Sequence, residues 1–163
     1  MNIFICSKNH IKKNIKKHDI NRLISISNYG DRTYIHTPYR NLENKNILRL
    51  SFEDDLEDSF QSPKLEHINL IEDYYNTKLK EGNNNLLIHC EAGISRSSAT
   101  ALYILLLQGN DIYESIEKLK NIKDDVRPNL KMINFIDNNL SLNGELYYEV
   151  EKFNERFNNK FKF

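Results

Sequence analysis

The sequence predicts an α/β fold, one domain over residues 1–163 with a central, mostly parallel twisted sheet flanked by helices. Three observations point there. Apolar, β-branched runs of strand length recur in the first half, and segments with helical apolar spacing lie between and after them. The run 85-NLLIH-89 also passes through a short loop into 97-SSATALYILLLQ-108, which is apolar nearly all round. A buried strand feeding a buried helix is the unit from which parallel sheets are assembled. The length fits one core.

In chain order, 2-NIFIC-6, 22-RLISIS-27, 33-TYIH-36, 47-ILRLSF-52 and 85-NLLIH-89 read as strands, most of them bounded by polar turn residues. Leu65, Ile68, Ile71, Tyr75 and Leu79 share one helical face, introduced by Ser62-Pro63 and closed by Gly82. The helix over 97–108 stops at Gly109. Asp111 is a cap ahead of Ile112, Ile116 and Leu119, and a further helix follows Pro128 with Leu130, Ile133 and Ile136. The tail 145–163 is amphipathic, and its end, from about residue 155, is expected to fray. Residues 29–46 carry the least pattern and read as a variable surface insertion.

With 23 basic residues against 23 acidic ones, no overall field draws the chain to nucleic acid or to an anionic membrane, and neither is expected as a partner. The opening residues lack a signal-peptide core and no segment approaches a membrane span, so the expected location is the cytoplasm or the nucleus. In such a reducing compartment Cys6 and Cys90 are not expected to pair, and no cysteine or histidine cluster has zinc spacing. Cys6, inside Ile3-Phe4-Ile5, reads as a small buried hydrophobe. His10, His18, His36 and His67 fall in no constellation and read as surface residues.

The stretch 88-IHCEAGISRSS-98 is different. It sets Cys90, the more exposed-looking of the two cysteines, at the mouth of a strand, with Arg96 six residues on at the start of a helix. A tight turn of small residues there aims backbone N–H groups inward, and the helix N-terminus adds donors and partial positive charge. Such a cradle fits a phosphate and favours the anion of a sulfur placed at its base. The planar fork of Arg96 holds two phosphoryl oxygens at once, and Gly93 suits a positive φ or a close backbone approach. Bulky residues at Ala92 or Ser95 would crowd the anion.

The stretch 87-LIHCEAGISRSSATALYILL-106 resembles the signature of the cysteine-dependent protein phosphatases, and its AGISRS wording is most similar to the compact dual-specificity branch. The resemblance extends to 47-ILRLSFEDD-55 and covers most of the chain from about residue 20 to about 140. It implies Cys90 as nucleophile, Arg96 as phosphate clamp and Ser97 as the hydroxyl that helps expel the thiolate. It makes Glu91, Ala92, Gly93, Ile94, Ser95 and Arg96 the substrate-binding loop, with His89 supporting it from behind. The general acid falls in 53-EDDLED-58 at Asp54, with Asp55 next and Asp58 third.

The implied substrates are phosphorylated proteins, at phosphotyrosine and at phosphoserine or phosphothreonine, with no metal and no organic cofactor. A phosphoinositide phosphatase usually carries lysines in this loop, and an RNA 5′-triphosphatase finds no basic stripe here. A binding module without turnover needs neither nucleophile nor acid. Arg127, ahead of Pro128-Asn129, receives no chemical role.

Overall fold

The computed structural model describes residues 1–31 and 42–160, with side chains through residue 156. The strand expected at 33–36, His36, most of the 29–46 insertion and the last three residues lie outside the described residues.

The described strands are β1 (Asn2–Ser7), β2 (Arg22–Ser27), β3 (Ile47–Ser51) and β4 (Asn85–Cys90). They form one sheet in the order β1-β4-β2-β3. Every pairing among these described strands is parallel, in line with the mostly parallel sheet expected. The helices are α1 (Ile11–Lys17), α2 (Leu65–Tyr74), α3 (Arg96–Leu107), α4 (Ile112–Ile122), α5 (Leu130–Asn139) and α6 (Glu145–Lys160).

Alternation along the strands divides the core. Ile3, Ile24, Ile26, Leu50, Leu86 and Ile88 meet apolar residues of α2 to α6, whereas Cys6, Leu23 and Leu87 meet a smaller cluster under α1. Helix α3 is buried from Arg96 to Leu105, as its all-round apolarity predicts. The Asp111 cap is present, its side chain accepting the Glu114 amide at 2.8 Å.

Three features depart from expectation. Helix α1 has seven residues, four of them lysine, and buries only Ile11, too little apolar rhythm to read. Leu65, the first residue of α2, is exposed, and the helix runs on into a π-helical turn over Tyr75–Leu79, with both Tyr74 and Tyr75 buried. His67 is no surface residue: its ring stacks on Phe52 at 4.5 Å and its Nδ1 accepts the Lys64 amide at 3.0 Å.

Candidate active site

Because the described strands run the same way, their carboxyl ends form one rim, where ligands of open α/β sheets collect. The segments after Ser7, Ser27, Ser51 and Cys90 therefore meet. Glu91 to Ser95 turn tightly there and lead into α3.

Four of the five carbonyls of that turn accept hydrogen bonds. Glu91 O accepts from Lys8 N at 3.2 Å, Gly93 O from Lys123 Nζ at 2.9 Å and Ile94 O from Arg127 N at 3.0 Å. Ser95 O accepts from Ala99 N at 3.0 Å and from Asn129 N at 3.4 Å. The Gly93 amide turns the other way and donates to Cys90 Sγ at 3.2 Å, while the amides of Ala92, Ile94 and Ser95 have no acceptor among the described residues. Gly93 meets both of its expected needs. Its φ is +72°, and a Cβ there would lie 2.4 Å from the Cys6 carbonyl carbon and 2.6 Å from Ser7 N.

Arg96 is 3% exposed. Its Nη1 donates to Phe52 O at 2.5 Å and its Nη2 to Asn28 Oδ1 at 2.9 Å, so the ends of β2 and β3 set the plane of the guanidinium. Its Nε is buried with no acceptor among the described residues, a strong donor that an anion in the loop would satisfy. Ser97 is buried, with Oγ 3.2 Å from Cys90 Sγ. Glu91 turns aside from the loop to pair with Lys8.

Cys90 is not the open thiol suggested by its place at a strand mouth. It is 2% exposed, as buried as Cys6 at 5%, and forms the floor of the loop. The cysteines differ in setting. Cys6 pairs in register with His89, and Ser7 with Cys90, so the two sulfurs leave β1 and β4 on opposite faces. Burial, with the nearby Cys90 adding to it against Lys123, pushes the Cys6 thiol up to about 12. Cys6 is thus an uncharged buried thiol, as expected.

His89 lies behind the floor, with Nε2 2.7 Å from Ser25 Oγ. Burial pulls its pKa down to about 4, against the Cys90 backbone hydrogen bond, so the ring is neutral at neutral pH.

The three acidic candidates separate by what they touch. Asp54 Oδ1 accepts from Ser95 Oγ at 2.6 Å and from Asn129 Nδ2 at 2.7 Å, which sets its carboxylate on the loop. Asp55 Oδ2 accepts from Ser59 Oγ at 3.2 Å and braces its own segment. Asp58 pairs with Lys131, whose hydrogen bond and charge hold its carboxyl below the usual carboxylate range.

Asn129 is the site residue that sequence reasoning missed. It caps α5 by accepting the Met132 amide at 3.0 Å while its other side-chain atom holds Asp54. An Asn between Pro128 and an apolar helical run is a readable cap; its second contact, 75 residues away, is not.

The comparisons agree with this geometry. Residues 3–138 match the family model described as dual specificity phosphatase, catalytic domain. A protein of Amsacta moorei entomopoxvirus, provisionally named tyrosine-protein phosphatase AMV078, is 39% identical over 56 residues, 34% of this chain and 33% of its own. One of Acanthamoeba polyphaga mimivirus, provisionally named tyrosine-protein phosphatase R622, is 46% identical over 50 residues, 30% of this chain and 24% of its own. Only a third or less of each of these curated relatives is thus spanned.

Among solved structures, the human tyrosine phosphatase-like serine/threonine/tyrosine-interacting protein superposes with a TM-score of 0.64 at 18% identity, covering 86% of this chain and 92% of that one. The Cydia pomonella PTP-2 phosphatase gives 0.61 at 18% identity over 85% of each chain, and human DUSP28 gives 0.58 at 15% over 83% and 89%. At such identities the likeness is one of fold. With the family model spanning the sheet, the Cys–Arg loop and α5, the chain belongs to the dual specificity phosphatase catalytic-domain family.

Proposed function

We propose that the chain hydrolyses phosphotyrosyl proteins, and phosphoseryl or phosphothreonyl ones, through a cysteinyl-phosphate. The observation that carries this reading is Asp54 hydrogen-bonded to Ser95 of the loop that Cys90 floors, which sets a carboxyl group beside a nucleophile. Binding alone would need neither.

In the first step Cys90 thiolate attacks phosphorus in line while the loop amides and Arg96 hold the equatorial oxygens. The S–P bond forms and the P–O bond to the leaving group breaks. Asp54, protonated, gives its proton to the departing oxygen. In the second step the Asp54 carboxylate takes a proton from water, whose oxygen attacks phosphorus as the S–P bond breaks. Inorganic phosphate leaves, and Ser97 Oγ donates to the sulfur as it regains its charge. Asn129 keeps Asp54 aimed in both steps.

Phosphotyrosine leads among substrates because exposed aromatic surface lies beside the cradle. Tyr29 follows Asn28, which holds Arg96, and packs edge-to-face on Phe60 at 5.3 Å. Between Cys90 and Arg96 no side chain is basic, which suits a phosphoprotein better than a polyanionic head group. A working thiolate also needs a reducing compartment, so the proposal includes a cytoplasmic or nuclear location.

The test measures phosphate release from phosphotyrosyl and phosphothreonyl peptides, a phosphoinositide and a 5′-triphosphorylated RNA. Wild type is expected to favour the tyrosyl peptide. Cys90→Ser should abolish turnover on every substrate while inorganic phosphate still binds, and Asp54→Asn should lower kcat by about 10²- to 10⁴-fold. Turnover by the serine variant, or a preference for lipid or RNA, overturns the reading.

A further inference from the structure

We propose that Lys131 is a positioning residue for the reaction, a latch on α5 that holds the acid-bearing segment 53–62 in working position. The inference rests on Asp54 being the proton donor.

Segment 53–62 contains neither helix nor strand, and most of it from Leu56 to Gln61 is exposed. Left to itself, such a loop samples many conformations on the nanosecond to microsecond scale. Its acid would seldom stand where the leaving oxygen is. Two residues at the start of α5 remove that freedom. Asn129 takes the front of the segment, through Asp54 Oδ1 at 2.7 Å and Asp55 O at 3.4 Å.

Lys131 takes the back. Its Nζ donates to Glu57 O at 2.7 Å, Asp58 Oδ1 at 2.5 Å and Ser62 Oγ at 3.0 Å. An ammonium has three protons, and all three are placed. The side chain is only 8% exposed, unusual for a lysine, whereas that of Asp58 is fully exposed.

The ion pair with Asp58 by itself therefore adds little. The Glu57 carbonyl and the buried Ser62 are the anchors, and Ser62 passes the restraint back along the segment by donating to Ser59 O at 2.9 Å. Ser59 Oγ in turn donates to Asp55, next to the acid. Fixing a reacting group in this way raises its effective concentration without contact with substrate, and a displacement of 1 Å can cost about 100-fold in rate.

The test uses the full chain and a series of aryl phosphates from para-nitrophenyl phosphate, whose leaving group needs little protonation, to phenyl phosphate, whose leaving group needs it. Lys131→Met is expected to lower kcat by about 10- to 100-fold on phenyl phosphate and hardly at all on the nitrophenyl ester. KM and inhibition by inorganic phosphate stay unchanged, and Lys131→Arg restores most of the rate.

Ser62→Ala removes one anchor and keeps the cation, so it should give a slope of the same sign but shallower than that of Lys131→Met, and one that can be read even where the methionine variant does not fold. Asp54→Asn serves as the reference, steeper still. A steep Asp54→Asn series beside flat Lys131→Met and Ser62→Ala series overturns the latch alone. A flat Asp54→Asn series overturns the acid assignment and the latch with it.

Discussion

At the scale of single residues, the site depends on atoms that are absent as much as on those present. Gly93 is the case to test, because a side chain there meets two separate obstacles. The left-handed φ costs an L-residue roughly 1–2 kcal/mol. Overpacking against the backbone of Cys6 and Ser7 adds roughly 1–3 kcal/mol, since β1 is paired in the sheet and cannot retreat freely. Gly93→Ala should therefore lower stability by roughly 2–5 kcal/mol and activity by far more, in denaturant melts and in turnover. An alanine variant with native stability would show that the loop has room. The sequence carries this residue openly, as it does Cys90, Arg96 and Ser97, because the chemistry demands those residue types at that spacing. It could not show that Cys90 would be buried, since burial comes from the neighbours that close over a strand end.

At the scale of elements, the segment after β3 joins three features in ten residues: the proposed proton donor, a self-bracing turn and an exposed aromatic ring. Phe60, 72% exposed, meets the Tyr29 ring edge-to-face and has Lys64 above its own face at 5.0 Å. Phe60→Ala should leave stability unchanged, raise KM for a phosphotyrosyl peptide several-fold and leave KM for a phosphothreonyl peptide alone. Equal shifts on both peptides would assign Phe60 to the peptide chain rather than to the ring. Much at this scale was legible: β1, β2, β3, β4, and the helices from α2 onward follow from period and caps. Helix α1 was hidden by its lysines, and the π-helical turn by the fact that a 3.6-residue rhythm cannot announce its own interruption. Asn129 and Lys131 were hidden because their acceptors in the acidic segment lie 69 to 75 residues away.

At the scale of the whole molecule, folding is tied to the neutrality of a buried ring. His89 titrates near 6.5 when unfolded and near 4 when folded, so between these values the unfolded chain binds the extra proton. Stability from this source is complete above pH 6.5 and is lost as pH falls toward 4, to a total of roughly 3 kcal/mol. His67, also pulled down by burial, acts in the same direction. Tm should thus fall from pH 7 to pH 4, and His89→Asn should flatten that fall while lowering Tm at pH 7. Parallel curves for the two proteins would deny the link.

The contact of Gly93 with the main chain of β1 reaches beyond the loop itself. The first strand meets the loop through its main chain, a wall whose position is fixed by the buried side chains of Ile3 and Cys6. A shift of this strand along its axis would be passed to the loop at Gly93, whose Cα faces the Cys6 carbonyl and the Ser7 amide.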